Sequence, residues 1–510
     1  MRRLHQAIGA VETYSPAEER FNRRRRTAGL FVAPATLLLV LLLPMPGLAP
    51  AGHRLAAVMA AVVVLWVSEA LPMAVTALLG PTLAVILQVA TARRALVSFA
   101  DPIIFLFIGS FVLAEAMFVH GLDRRIAFTT LSSKLVGSSA ARMLVAYGAV
   151  ATLISMWISN TATTAMLFPI GLSIVGHVGL RGTASPDAVR RFAIAMMLVT
   201  SFAASVGGMA TPVGTPPNLI GLGFISRLGG QPVSFLAWTR LGVPLVLVMT
   251  ALLLGWFAWW GARGLRIEAE GLALVREERD RLGPWTRGQR NVVVAFAVAV
   301  FLWVAPGLAA IVGQADSRAM QTLATSVPEA IAALIGAVLL FLLPIDWRQR
   351  RFTLTWDQAA GIDWGIILLY GGGLALGDLA FETGLAAWLG SALTSVLPSH
   401  TELALTIAFA AAAIVLSEAT SNAASANMIV PVAIAVAQAS GVEPLRPALA
   451  ATLGASMGFM MPISTAPNAI VYSSGYVPIG AMMRHGLLLD LVSFIVIVAA
   501  VTLLGPLVGL

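Results

Sequence analysis

Four short polar stretches interrupt apolar segments of this chain. Ser159-Asn160-Thr161 lies in the middle of ISMWISNTATTAMLFPI (154–170), and Ser421-Asn422 in the middle of IVLSEATSNAASANMIVPV (414–432). Two further stretches, TPVGTPPNLI (211–220) and PISTAPNAI (462–470), set Thr beside Pro and Asn. These side chains carry no formal charge but supply both donors and acceptors. The residues after Asn160 have the pattern of a helix, which puts Ser159, Asn160 and Thr161 at a helix start. Ser, Asn and Thr are strong caps there, and the free N–H groups of the first turn attract negative charge. Two such ends meeting near a membrane midplane make an anion site without a fixed cation. The prolines of Thr215-Pro216-Pro217 and Ala466-Pro467 forbid a continuous helix and leave upstream carbonyls unpaired. With Asn and Ser oxygens, those carbonyls suit a hard cation such as sodium. A single Ser or Thr in a membrane helix commonly bonds to its own backbone or packs helix on helix. Four interruptions in two duplicated pairs point instead to one site.

The elements that must hold these residues are membrane spans. Of 510 residues, 58% are hydrophobic and 11% charged, against about a quarter charged in a soluble chain. Apolar windows long enough to cross a bilayer recur along nearly the whole sequence. The fold class expected is an all-α polytopic membrane protein. There is no cysteine, which excludes thiol catalysis and Cys-based metal sites. The six histidines are scattered, and no paired Asp or Ser/His arrangement marks an intramembrane enzyme. No catalytic residue and no organic cofactor are expected. The net charge of +8 is concentrated in the tail (Arg2, Arg3, Arg20 and Arg23 to Arg26) and in short loops. That placement indicates topology, not nucleic acid, and marks the cytoplasmic side. The tail has no short apolar core with a cleavage site at its start and is expected to be retained, touching anionic lipid. Basic residues do not ring a pore, as an anion channel would require.

The sequence divides into a basic tail (1–26), a first half (27–260), a charged linker (261–290) and a second half (291–510). The linker and the basic loop DWRQRRF (346–352) read as solvated, the linker partly helical. The halves match. PIIFLFIGSFVLAEAMFVHGL (102–122) aligns with WGIILLYGGGLALGDLAFETGL (364–385), bringing Gly121 onto Gly384; Ser159-Asn160 falls on Ser421-Asn422, and Asn218 on Asn468. Treating 143–178 as a hairpin that enters and leaves on one face gives an even number of crossings before the linker. The second copy is then inverted, an arrangement widespread in secondary transporters. Glu69, Glu115, Asp378 and Glu418 are ionisable residues at membrane depth; the first three are expected in ion pairs or at interfaces.

The motifs WVSEALPMAVTALL, SNTATTAMLFPI, ATPVGTPPN, SNAASANMIVPV and STAPNAIVYSSGYV resemble those of the divalent anion:sodium symporter family, and the similarity covers nearly everything after the tail. The resemblance implies about eleven transmembrane helices plus two re-entrant hairpins, an inverted repeat, and scaffold and transport domains moving as an elevator within a homodimer. It places one sodium at Ser155, Asn160 and the carbonyl of Gly214, and a second at Ser417, Asn422 and the carbonyl of Ser464. The anion would meet Ser159, Asn160, Thr161, Thr215, Pro216, Ser421, Asn422 and Thr465. Ala423 and Ala466 depart from the family pattern of Thr and Pro. The function implied is sodium-coupled transport of a small dianion, foremost a C4-dicarboxylate such as succinate. Citrate or sulfate transport and sodium-independent exchange stay open. The expected location is the inner membrane, N-terminus cytoplasmic and C-terminus periplasmic.

Overall fold

The computed structural model describes residues 16–133, 139–180, 185–265, 269–311, 317–395 and 399–508. The expected tail falls partly outside them, but its basic run is helical: α1 (Pro16–Leu42) carries Arg23 to Arg26 into the first span. Then come α2 (Pro50–Ser68), α3 (Met73–Ile86), α4 (Ala92–Leu96, continued by a 3-10 turn, Val97–Ala100), α5 (Pro102–Val119) and α6 (Leu122–Leu131). The first interrupted pair forms α7 (Ala140–Ser155) with α8 (Asn160–Leu180), and α9 (Pro186–Gly207) with α10 (Pro216–Leu228). The half closes with α11 (Phe235–Gly261), and the linker contains α12 (Ala269–Arg281).

The second half contributes α13 (Arg287–Ile311), α14 (Arg318–Ser326), α15 (Glu329–Leu342), α16 (Trp356–Ala359), α17 (Trp364–Glu382) and α18 (Leu385–Thr394). Its interrupted pairs are α19 (Glu402–Ala419) with α20 (Asn422–Ala439), and α21 (Leu445–Gly454) with α22 (Ala466–Tyr472); α23 (Ile479–Val508) ends it. The loop at 346–352 is a short antiparallel ribbon, Pro344–Asp346 with Arg351–Phe352, the two strands among the otherwise helical elements of the described residues.

Among the described residues eleven helices are long and apolar enough to cross a membrane, and three of them are hairpin arms: α8, α19 and α20. The bent pair α14–α15, with 78° between its parts, the shorter α3 and the broken α21–α22 complete the expected set of spans and two hairpins. The duplication is physical. Gly121 and Gly384 both adopt left-handed backbone, φ 61° and 77°, and each starts the short helix after a span. Only glycine takes that conformation without steric cost.

Two bundles result. In one, α5 packs on α15, α3 on α17 and α13 on α15. In the other the repeats interlock: α10 of the first half lies on α20 and α21, while α22 of the second half lies on α8 and α9. The broken helix α9 is the most enclosed span, 89% of its apolar window buried, whereas α1 has 11% and lies at the periphery.

A charged cluster ties the bundles together. Arg227 of α10 donates from Nε to both oxygens of Asp378 on α17, at 3.1 Å each, and its guanidinium lies 3.7 Å from Asp101. Ser98 Oγ donates to Asp378 at 2.8 Å, and Tyr370 OH to Asp101 at 3.0 Å. Asp378 thus has the ion pair expected of it, as does Glu69, 3.0 Å from Arg25 and 3.1 Å from Arg26. Removing one partner of a buried pair costs about 3–5 kcal/mol because the other charge is stranded. Partial exposure of the Arg227 side chain lowers that figure. Arg227→Met should therefore lower the melting temperature of the purified protein, and adding Asp378→Asn should recover part of the loss. A double variant no more stable than the single one would show that stranded charge is not the cause.

Candidate functional site

The tip of the first hairpin is a turn between α7 and α8. Ser159 Oγ accepts the N–H of Ala162 at 3.3 Å, the cap that starts α8. Asn160 lies at the first position of that helix and divides its amide between two sides. Ser155 Oγ donates to Asn160 Oδ1 at 2.8 Å, and Asn160 Nδ2 donates to Thr215 Oγ1 at 3.3 Å. The second hairpin repeats the construction 262 residues on. Ser421 caps α20 through Ala424 at 3.3 Å, and Ser417 Oγ donates to Asn422 Oδ1 at 2.9 Å. At the second tip Asn422 Nδ2 donates to the Ser456 carbonyl at 3.2 Å, not to a threonine hydroxyl, and Ala423 stands where the first tip has Thr161.

Each hairpin tip faces the break in a neighbouring helix. Between α9 and α10 the chain leaves helical geometry, and α10 restarts at Pro216 after Thr215 in extended backbone. Between α21 and α22 the restart is at Ala466 after Thr465, again extended. Asn218 Nδ2 reaches back to the carbonyls of Gly208 and Thr211 at 2.9 and 2.8 Å. Asn468 Nδ2 does the same to Gly458 and Met461 at 2.9 and 3.0 Å. Residues at membrane depth need such internal partners. The two amides rigidify the breaks; sequence comparison matched them without revealing this role.

Of the expected cation residues, Ser155, Gly214 and Ser417 lie behind the tips, whereas Asn160, Asn422 and Ser464 also border the cavity between them. Backbone oxygens of Ser155 and Met156 crowd Gly214 so closely that an added Cβ would come within 2.9 Å of each. At Gly458 a Cβ would meet the Ser417 carbonyl at 3.0 Å and its hydroxyl at 3.1 Å. Ser155, Ser417 and Ser464 are wholly buried. Each nest is built from neutral oxygens, a donor set that fits a monovalent hard cation.

Glu418 makes the second nest unlike the first. Its carboxylate accepts the N–H groups of Phe459, Met460 and Met461 at 2.6, 2.7 and 3.2 Å, and Ser464 Oγ at 2.6 Å. One acidic side chain thereby holds the whole turn that carries Ser464. The equivalent position of the first half is Met156, so one nest has a formal charge beside it and the other has none.

All eight residues expected to meet the anion line one cavity of about 670 Å³: Ser159, Asn160, Thr161, Thr215, Pro216, Ser421, Asn422 and Thr465. Ala423 and Ala466, the two departures, also line it, whereas Ser155, Gly214 and Ser417 do not. The opposite wall comes from the other bundle, with Phe111, Glu115 and Phe118 of α5 and Ile362, Asp363 and Ile366 at the start of α17. Among the described residues Glu115 has no ion pair, one of its two expected settings, and it borders the cavity. Its repeat counterpart Asp378 faces Arg227, and only a structure separates these two fates.

The model of the sodium:sulfate symporter transmembrane region matches residues 24–510. The chain belongs to that family. This symporter-family chain is 31% identical over 483 residues to the sodium-dependent dicarboxylate transporter SdcS of Staphylococcus saprophyticus, covering 94% of this chain and 91% of that one. Identity is the same, over 485 residues and with the same coverage, to SdcS of Staphylococcus aureus strain NCTC 8325. The crystal structure of the Alcanivorax borkumensis YdaH transporter aligns over 96% of this family member and 98% of its own chain. Its TM-score is 0.52 and its identity 13%, a likeness of fold alone.

The two asparagines each join a hairpin tip to a helix break. Asn160→Ala and Asn422→Ala should each abolish sodium-dependent uptake while leaving the protein folded and monodisperse. Near-normal uptake by either variant would place the site elsewhere.

Proposed function

We propose that this chain carries a small dianion, foremost a C4-dicarboxylate such as succinate, together with sodium across the inner membrane. The observation that supports this reading best is the meeting of two capped helix starts in one cavity, each backed by a nest of buried neutral oxygens. Carboxylates have there the hydroxyls of Ser159, Thr161 and Ser421, the amides of Asn160 and Asn422, and the N–H groups of two helix N-termini. Among the described residues no lysine or arginine borders the cavity. Two monovalent cations behind the hairpin tips would balance a dianion, so anion and cation binding depend on each other. The names of the SdcS relatives agree with this pairing of sodium and dicarboxylate.

The interlocked bundle of α7–α11 and α19–α23 is the transport domain of this proposal, and α1–α6 with α13–α18 its scaffold. The cavity lies between them, so moving one past the other would carry the site across as an elevator. The protein would work as a homodimer embedded in the bilayer, without organic cofactor or catalysis, with its N-terminus cytoplasmic and its C-terminus periplasmic.

Uptake of labelled succinate, citrate and sulfate into proteoliposomes tests the assignment. Succinate should accumulate when sodium is high outside, and lose most of its rate when choline replaces sodium. Equal uptake in both media would favour exchange, and preferential uptake of citrate or sulfate would change the substrate.

Ala423 tunes the anion side. A hydroxyl at this cavity position would donate to a substrate oxygen, and such a bond is worth about 0.5–1.5 kcal/mol, more to a charged group. Ala423→Thr should tighten succinate binding several-fold with the sodium response unchanged. Unchanged anion affinity with a shifted sodium response would mean that residue 423 faces the cation instead.

A further inference from the structure

A second cavity, of about 390 Å³, lies far from the hairpin tips, where α11 ends and the linker leaves the body. It is lined by Asp187, Arg190 and Arg191 of α9, Trp260 of α11, and Arg484 and His485 of α23, among others. Three arginines against one aspartate make it strongly basic. Among the described residues Arg190, Arg191 and Arg484 have no ion pair. Arg191 donates to the Arg263 carbonyl at 3.2 Å, yet its Nε is buried without an acceptor. A buried guanidinium N–H left unpaired costs free energy, and a ligand oxygen in this cavity would satisfy it. His485 adds no charge: its Nδ1 accepts the indole N–H of Trp256 at 3.1 Å, which fixes a neutral imidazole.

The surroundings are those of a membrane boundary. Trp256, Trp259 and Trp260 ring the end of α11, and Arg263 lies 3.7 Å over the Trp259 ring. Tryptophan concentrates at the headgroup level of bilayers. Below this girdle α11 exposes Leu247, Val248 and Leu252, and α23 exposes Leu487, Leu491 and Ile495. A basic cavity above apolar tracks on two packed helices fits an amphiphile with a phosphate head, whereas a free ion would use only the upper part. We propose that this cavity binds the headgroup of an anionic phospholipid such as phosphatidylglycerol, its acyl chains following α11 and α23. Guanidinium pairs well with phosphate oxygens through two parallel hydrogen bonds.

The test is titration of the purified full-length chain in detergent with phosphatidylglycerol or phosphatidylcholine, counting bound lipid by native mass spectrometry. Phosphatidylglycerol should bind the wild type more tightly than phosphatidylcholine. The double variant Arg190→Gln/Arg484→Gln should lose that affinity roughly tenfold or more, since each basic residue near a lipid surface contributes measurably. Arg190→Lys/Arg484→Lys should keep most of it, which separates lost charge from lost folding. Millimolar inorganic phosphate should not displace the lipid. Equal binding of the two lipids, full binding by the glutamine variant, or displacement by inorganic phosphate would each overturn the proposal.

Discussion

The backbone cannot be left without hydrogen-bond partners at membrane depth, and the rest of this structure follows from how the chain meets that demand at its two helix breaks. Each break exposes carbonyls. One asparagine side chain, Asn218 or Asn468, claims two of them. In the second half others meet Ser417 and Asn422, through the carbonyls of Ala455 and Ser456; in the first, the carbonyls of Ser155 and Met156 crowd Gly214 in an oxygen-rich nest. A substitution that merely restored continuous helix would remove the nests. Irregular backbone is thus the functional feature, and the amides are what make it tolerable.

The duplication explains why there are two of everything, and the cross-packing explains why the two copies make one site. Because α10 lies on α20 and α21 while α22 lies on α8 and α9, the two nests, each built within its own half, border one cavity. Serving as two copies did not keep the halves identical. Glu418 organises the second turn through four hydrogen bonds, while Met156 leaves the first turn to Thr211, whose hydroxyl donates to the Met156 carbonyl.

Much of this was legible in the sequence because its signals are local. Apolar length gives spans, proline gives breaks, Ser and Asn before an apolar run give helix starts, and a constant offset gives the repeat. The eight residues named for the anion do border a common cavity. What escaped depends on residues far apart in the chain. The Arg227–Asp378 pair joins positions 151 apart, and Ser201 meets Asn468 across 267. Glu115 and Asp378 occupy equivalent repeat positions, yet one borders a cavity and the other an arginine, because different helices pass them. Glu418 was conspicuous as a charge beside a motif, but its four partners come from a turn some forty residues later.

The central claim is that one dianion site is backed by two cation nests. Simultaneous measurement of labelled sodium and labelled succinate entering proteoliposomes tests it most directly. The account predicts at least two sodium ions per succinate and an uptake rate that rises sigmoidally with sodium. A ratio of one or less, or succinate flux without sodium flux, would contradict it.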